Sequence, residues 1–548
     1  MEASRRILVD RSAIRLDGRP FFTFGPHLLL TPPEKLKAAI GEIAAAGFTT
    51  VVSPPCSPGS LHLMNIVFDA ADEAGIMVVL MGDPRLPEHG RYLADQFCHR
   101  KSLHSYMLSP REITREGLAD FQRERDNIVA SDLFHPVSAP CNASQIDAAW
   151  LRSQDVYTII PEEMPTRAAT APRFCQQPGP AVRALTRDEN IPQRPVIVPG
   201  LRVSISDAER AAGMFADDPW VSRLSPRALD WFPFLANFST MPRKDLLGPD
   251  PEMLRLQVYD ALASGARGVL LDFFEAMSGP TPYSGRDRFC EAAILAQEIG
   301  LLNDFFAEGR AEPVLIETGH PRLDASVIRH GLDYLIVLRM NGYEEDYFVD
   351  EAYMHRTGID IMLAGDNAWK AWRLDFPAAE ALEIQRDRAG AARFLAGSLE
   401  LTGLVLISAG TQRAQECAEA IQKRLPLVAR MVVEQLEVRF AKLLLIEGEL
   451  SAARVGLNNE ERMRTVQKSM DAARELLRGG DFAGAYTKAR QGLRFSRQIV
   501  KYQMAKALAT PVTGGSQRRS LLRGSYYTLP QFYREGASEP GAAFMDLT

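Results

Sequence analysis

Over residues 1–305 short apolar runs alternate with amphipathic stretches, and beyond them the period changes twice. Ile14 and Leu16 alternate with polar neighbours, Asp17-Gly18 supplies a turn and Pro20-Phe-Phe-Thr-Phe24 returns, so residues 13–25 read as a β-hairpin. Residues 36–46 carry apolar side chains at helical spacing and stop at Gly47, whose missing Cβ suits a C-cap. The β-branched run 48–52 predicts a strand. A helix over 65–74 ends at Gly75, and a strand over 76–81 stops at Gly82-Asp83. Further strands are predicted over 104–108, 135–140, 155–160, 195–198 and 266–271, with helices over 114–130, 144–152 and 251–264. Counting 21–24 as the first, eight strands alternate mostly with helices. Near-continuous apolar strands in this rhythm imply a parallel sheet covered on both faces. Eight units in about 280 residues fit a closed (β/α)8 TIM barrel better than an open doubly wound sheet. No GxGxxG follows the first strand, which argues against a dinucleotide-binding domain.

After Gly300-Leu-Leu-Asn303 short strand-like runs recur at 325–328, 334–338, 346–349, 359–363, 371–374, 381–385 and 404–407. Turns such as Asn341-Gly342 separate them, the rhythm of an antiparallel β-sandwich-like domain. From Gln412 the pattern is helical: one helix to Glu447 that Pro426 should kink or break, one over 459–478, and one capped by Asp481 and reaching about residue 509. Leu436, Phe440, Leu443 and Leu444 mark a face that must pack on the sandwich or on another copy of the chain. The division expected is a barrel over 1–305, a sandwich-like domain over 306–410, a helical region over 411–510 and an extended tail over 511–548.

Composition narrows the function classes. The chain is 46% hydrophobic and 24% charged, as in folded proteins, with a net charge of −6 and no basic stripe, so a nucleic-acid partner is not expected. Six cysteines lie far apart without CxxC spacing, and they read as reduced, mostly buried thiols. No run of 18 apolar residues offers a membrane span. The first residues lack the apolar stretch of a signal peptide, so as written the chain reads as cytoplasmic; an incomplete N-terminus would leave export open.

Several segments resemble the clan of glycoside hydrolases built on (β/α)8 barrels, in particular its galactosidase-like and cellulase-like members. Ile14-Arg-Leu-Asp-Gly18-Arg-Pro20-Phe-Phe-Thr-Phe-Gly25 is similar to the segment leading into their first strand. Ala46-Gly-Phe-Thr-Thr-Val51 resembles their second strand and Ala74-Gly-Ile-Met-Val-Val-Leu80 their third. Residues 254–268 look like the last helix and eighth strand. The likeness covers about residues 10–305 and implies a carbohydrate substrate, an acid/base carboxylate after strand four and a nucleophile carboxylate after strand seven. Here strand four runs into Ser109-Pro110-Arg111 and strand seven into Pro199-Gly200-Leu201-Arg202, so both expected acids are missing. A retaining glycosidase needs two carboxyl groups ~5 Å apart, one to protonate the leaving oxygen and one to attack.

The working face of a barrel is the C-terminal end of its strands. Acids expected there are Asp83, Glu112, Glu162, Glu163, Asp272 and Glu275. If the chain is catalytic, Asp272, Glu275, Glu162 and Glu163 are the candidates for the carboxylate roles. His27, Asp83, Tyr106, Arg111 and Phe273 are candidates for sugar contact, since hydroxyls need polar partners and sugar C–H faces need flat rings. The plainer alternatives are helix-cap and ion-pair roles for the acids, and core layers for Tyr106, Phe273 and Phe274. No His/Cys/Asp/Glu spacing suggests a metal site, no cofactor is implied, and no GxSxG elbow supports a serine hydrolase. The chain therefore reads as a glycoside-hydrolase-like protein that binds or hydrolyses a carbohydrate. The alternatives are a non-catalytic carbohydrate-binding or scaffold protein and, more remotely, a metal-using hydrolase. Homo-oligomers through the helical region are a further expectation.

Overall fold

The computed structural model describes residues 7–10, 13–28, 31–83, 89–108, 115–142, 150, 153–160, 163–165, 174–176, 178–187, 197–201, 251–271, 274, 277–278, 285–312, 314, 316–318, 323–340, 358–361, 369–386, 392–396, 399–452 and 457–509. Strands β1 (Ile7–Asp10), β2 (Ala13–Leu16) and β3 (Arg19–Phe21) form an antiparallel sheet. Asp17 at φ 51° and Gly18 at φ 81° supply the left-handed pair that a tight hairpin turn requires. The expected hairpin thus gains one strand and ends earlier.

Strands and helices then alternate. They run β4 (Thr23–Pro26), α1 (Leu36–Ala46), β5 (Thr50–Val52), α2 (Leu61–Ala74), β6 (Met77–Met81), α3 (His89–Phe97), β7 (Leu103–Met107) and α4 (Arg115–Ser131). Next come β8 (Val137–Ser138), β9 (Pro140–Asn142), β10 (Tyr157–Ile160), β11 (Glu163–Pro165), β12 (Phe174–Gln176), α5 (Pro178–Arg187) and β13 (Ile197–Leu201). The stretch closes with α6 (Pro251–Ala263), β14 (Gly268–Leu271), α7 (Arg286–Leu301) and α8 (Asn303–Glu308). Gly47 at φ 95° and Gly75 at φ 72° end α1 and α2 in the left-handed conformation their positions predict. Helix α3 has no counterpart in the sequence reading. Its buried positions His89, Gly90, Leu93, Ala94 and Phe97 do form one face, but the helix has only nine residues and two of the five, His89 and Gly90, are not apolar.

Among the described residues the parallel ladders form two sheets, ordered β4-β14-β13-β10-β9 and β5-β6-β7-β8, rather than one continuous closed ladder. The sheets meet at both ends. β4 reaches β5 through the parallel bridge His27↔Val52, with Leu28 N–H on Val52 O at 2.9 Å and Thr49 N–H on Phe24 O at 3.0 Å. β8 runs into β9 across the single residue Ala139. A separate apolar cluster gathers Val52, Met77, Val79, Met107, Val156 and Leu270 with Ile7 and Ile14 of the N-terminal sheet. Alternate side chains of the same strands join the larger core between strands and helices, as period-two alternation dictates.

Ten antiparallel strands follow: β15 (Arg310–Glu312), β16 (Ile316–Thr318), β17 (Leu323–His330), β18 (Asp333–Met340), β19 (Gly358–Ile361), β20 (Lys370–Asp375), β21 (Ala378–Leu382), β22 (Ile384–Arg386), β23 (Ala392–Leu395) and β24 (Thr402–Ser408). They form a six-stranded sheet, β15-β17-β18-β24-β20-β21, and a four-stranded one, β16-β19-β23-β22. The single strand expected over 381–385 is split at Glu383, with its halves in different sheets. The run expected at 346–349 lies outside the described residues.

Helices α9 (Gln412–Ala452), α10 (Glu460–Arg478) and α11 (Phe482–Ala509) complete the described chain. Pro426 does not end α9, which continues through it for 41 residues. Val428, Ala429, Val432 and Val433 just beyond the proline are buried, and α9 packs on α7 and α11, so tertiary contact outweighs the lost helical hydrogen bond. Leu436, Phe440 and Leu443 are buried within the chain, whereas Leu444 stays 51% exposed.

Buried charges tie these parts together. Arg255 of α6 donates to Glu291, to Glu298 at 2.8 and 2.9 Å and to Thr402 of β24 at 3.1 Å. Arg439 of α9 holds Glu252 at the start of α6 at 2.9 Å. Arg490, Arg494 and Arg497 of α11 converge on Glu400, whose carboxyl, although desolvated, is held down to about 2 by these three cations.

Candidate functional site

The C-terminal ends of β4, β5 and β6 build one corner in detail. His27 N–H donates to Leu271 O at 2.9 Å and its own carbonyl accepts Phe274 N–H at 2.8 Å, so its backbone is clamped between β4 and the segment after β14. Its ring is half-buried, and loss of solvation lowers the imidazole pKa to about 4. His27 is therefore neutral near neutral pH and suits a neutral polar partner.

Two strands along, past β5, Gly82 and Asp83 leave β6 in a tightly held turn. Cys56 N–H donates to Met81 O at 2.7 Å, Gly82 N–H to Met107 O at 2.8 Å, and Asp83 N–H to Cys56 O at 3.1 Å. The Asp83 N–H also points to Nε2 of His89 at 3.1 Å. Asp83 and His89 are both buried, with Tyr92 one helical turn on and its ring 6.3 Å from that of His89. Burial pushes the Cys56 thiol up to about 12 against the help of Ser60, which removes it as a nucleophile at neutral pH.

Tyr106 is the last residue but one of β7, but its ring does not face the rim. It is wholly buried between β7 and α4, with its hydroxyl donating to Asp132 Oδ2 at 2.7 Å. The same oxygen faces Nδ1 of His135 at 2.7 Å, and Asp132 Oδ1 accepts Phe134 N–H at 2.9 Å. Sugar contact by Tyr106 is thereby corrected to a structural role, because period-two alternation turns its ring outward to the helices. His104 turns the other way although it is two residues back, because the β6–β7 register shifts by one residue between Leu103 and Ser105. Its Nε2 lies 3.2 Å from Thr23 Oγ1 and its Nδ1 2.8 Å from Ser105 Oγ, and burial lowers its pKa to about 3. Sequence reading missed the Asp132–His135 pair, whose only signal was its three-residue spacing, and His89, which had none.

Of the other expected site residues, Asp272, Phe273, Glu275, Glu162 and Arg111 lie outside the described residues, as does Glu112. Glu163 is described only as backbone, in β11, paired antiparallel with Gln176 of β12. Phe274 is a core residue, with its ring edge-on to Phe289 at 5.8 Å. Arg286 donates to Glu42 and Glu434, and Arg288 is buried. Among the described residues no group of three or more His, Cys, Asp or Glu is placed to hold a metal ion, and no helix is long and apolar enough to cross a membrane.

No protein-family model matches the chain. No characterised protein matches it in sequence. Solved structures it is similar to include enzymes named for acting on carbohydrates. A GH30 endoxylanase from Clostridium papyrosolvens C71 aligns at 9% identity and TM-score 0.37, over 74% of this chain and 100% of that one. A cycloisomaltooligosaccharide glucanotransferase from Paenibacillus sp. aligns at 9% identity and TM-score 0.43, over 70% and 84%. A GH2 beta-galacturonidase from Eisenbergiella tayi aligns at 13% identity and TM-score 0.33, over 49% of this chain and 47% of that one, so the chain spans under half of its length. At such scores the alignments do not assign this chain an activity.

Proposed function

We propose that residues 1–305 form a (β/α)8 barrel of the glycoside hydrolase type, followed by a β-sandwich-like domain over 306–410 and a helical region over 411–510, and that the strand-end rim binds a carbohydrate. Closure of the barrel is supported by the two parallel ladders, β5-β6-β7-β8 and β9-β10-β13-β14-β4, by the return of β14 to β4, and by the His27↔Val52 bridge from one ladder to the other. The shared cluster of Val52, Met107, Val156 and Leu270 supports it too, since strands far apart in an open sheet would not meet on one face. The N-terminal sheet then plugs the lower end through Ile7 and Ile14.

Binding is the central claim and hydrolysis the conditional one. The observation that carries it is a buried acid, Asp83, just after β6 and a neutral His27 just after β4, both at the strand ends where a barrel holds its ligand. No carboxylate occupies residues 197–202 or 106–111, where the resemblance puts the catalytic pair. If turnover occurs, Asp272, Glu275, Glu162 or Glu163 would carry it.

A glycan array read beside an aryl-glycoside hydrolysis screen tests the proposal. Binding that weakens about tenfold in Asp83→Asn and His27→Ala, without turnover, is the expected result; tenfold is about 1.4 kcal/mol, one hydrogen bond to a polar ligand. Turnover lost in Asp272→Asn or Glu275→Gln would make the chain a hydrolase. Neither binding nor turnover on any glycan would overturn the reading.

A further inference from the structure

We infer that His89 is a positioning residue which, through the backbone N–H of Asp83, holds the rim carboxylate in its ligand-binding position only while the imidazole is neutral. The inference rests on the reading of the rim as a carbohydrate site and adds a residue and a pH gate to it. The Asp83 N–H is shared between Cys56 O and His89 Nε2, each at 3.1 Å. A ring nitrogen that receives an N–H must present a lone pair, so His89 carries its single proton on Nδ1. The ring also lies against the turn itself: a Cβ on Gly82 would sit 3.0 Å from His89 Cδ2, so glycine lets the imidazole close over the peptide. The Cys56↔Gly82 bridge fixes the β5 flank of the turn, and Gly82 N–H on Met107 O at 2.8 Å fixes the β7 flank. The turn is held by neighbours on both flanks, and of these His89 is the one that gains a positive charge as the pH falls.

The groups facing His89 determine what a second proton does. Among the described residues these are the Asp83 carboxyl after β6, the Cys56 backbone carbonyl after β5, Tyr92 on its own helix and Glu124 on α4. Glu124 Oε2 accepts Gly90 N–H at 2.7 Å, while its Oε1 is buried without a hydrogen-bond partner. Loss of solvation holds the imidazole below its ordinary range, and Asp83 and Glu124 pull it back up. Once protonated, Nε2 repels the Asp83 N–H, and the cation is drawn to the carboxylates of Asp83 and Glu124. The Asp83 carboxylate then pairs inward and is lost to a sugar hydroxyl. The sign follows: the binding-competent turn is complete above the ordinary imidazole value of about 6.5 and fails as pH falls below it.

The test uses the full chain with two independent readouts. The first is saturation-transfer NMR with p-nitrophenyl glycosides of hexoses, pentoses and uronic acids, from pH 7.5 to 5. Wild-type binding should fall at least fivefold over that range, whereas His89→Gln should bind several-fold more weakly at pH 7.5 and show a flat profile, with Tm within about 3 °C of wild type. The second is hydrogen-exchange mass spectrometry of peptides across residues 80–90, which needs no ligand. Exchange there should rise about tenfold in His89→Gln at pH 7.5, and in wild type on acidification after correction for the intrinsic rate. Unchanged exchange in His89→Gln overturns the inference whatever the sugars do. A wild-type binding profile that stays level to pH 5, or one that His89→Gln reproduces, overturns it as well. Silence of every glycoside with wild type, beside the expected exchange change, would sink the carbohydrate reading and confine His89 to the turn.

Discussion

Gly25 sits where β4 comes closest to β5: a Cβ added there would lie 1.6 Å from the Thr50 carbonyl oxygen. Neither strand can retreat, because Phe24 N–H and Phe24 O both bond to Thr49 and the next bridge is His27↔Val52. Gly25→Ala should therefore cost about 4 kcal/mol or more, at the far end of single-substitution effects, and the urea midpoint and soluble yield would report it. A loss under about 1 kcal/mol would mean the two strands are not held at this spacing. In the sequence this glycine was only part of Gly25-Pro26-His27, since the oxygen it avoids belongs to a residue 25 positions away. The same holds for the candidate site. Asp83 and His27 were legible because strand-end acids and histidines follow from the pattern of strands. His89 was not, because its partner is a backbone N–H brought near by a turn.

Helices with a local stop signal or a long apolar run were read correctly, and a short helix without either was not. Helices α1 and α2 combine an apolar stripe with a terminal glycine, so both ends are written locally. Helix α3 has a one-sided stripe but only nine residues, with His89 and Gly90 on the buried face, and depends on Phe97 stacking on Phe68 of α2 at 5.0 Å and on Gly90 lying close under Glu124. Pro426 shows the opposite failure, a strong local signal overridden by packing. An interior proline costs about 3 kcal/mol relative to alanine in a free helix. Because α9 stays continuous here, Pro426→Ala should recover part of that, about 1 kcal/mol, seen as a rise in thermal midpoint. A fall would mean that the packing of α9 on α7 depends on the proline ring.

At the scale of the whole molecule the boundaries drawn at 305 and 410 are poor places to cut. All thirteen residues of α6 are buried, which no surface helix of a free barrel would show. Arg255, Glu252 and Asp260 of that helix are answered by Thr402, Arg439 and Arg339 from later parts of the chain. Arg255 keeps Glu291 and Glu298 in a shortened chain, but losing Arg439 from Glu252 or Arg339 from Asp260 removes a cation from a buried carboxylate, at about 3–5 kcal/mol each. A chain ending at residue 305 should therefore be insoluble or lack a cooperative melt, and the full chain should unfold in one calorimetric transition. A soluble 1–305 fragment with its own sharp transition would show the three regions to be separable. The sequence by itself determined the alternation of strands and helices, the turn glycines and the change of period near residue 303, because each is a matter of neighbours within one or two turns. Only the tertiary structure decided which face each strand presents to which partner, that α6 is buried on every side, and that Asp83 stands beside His89. Those are contacts across long loops, and a linear pattern carries burial but not the identity of what does the burying.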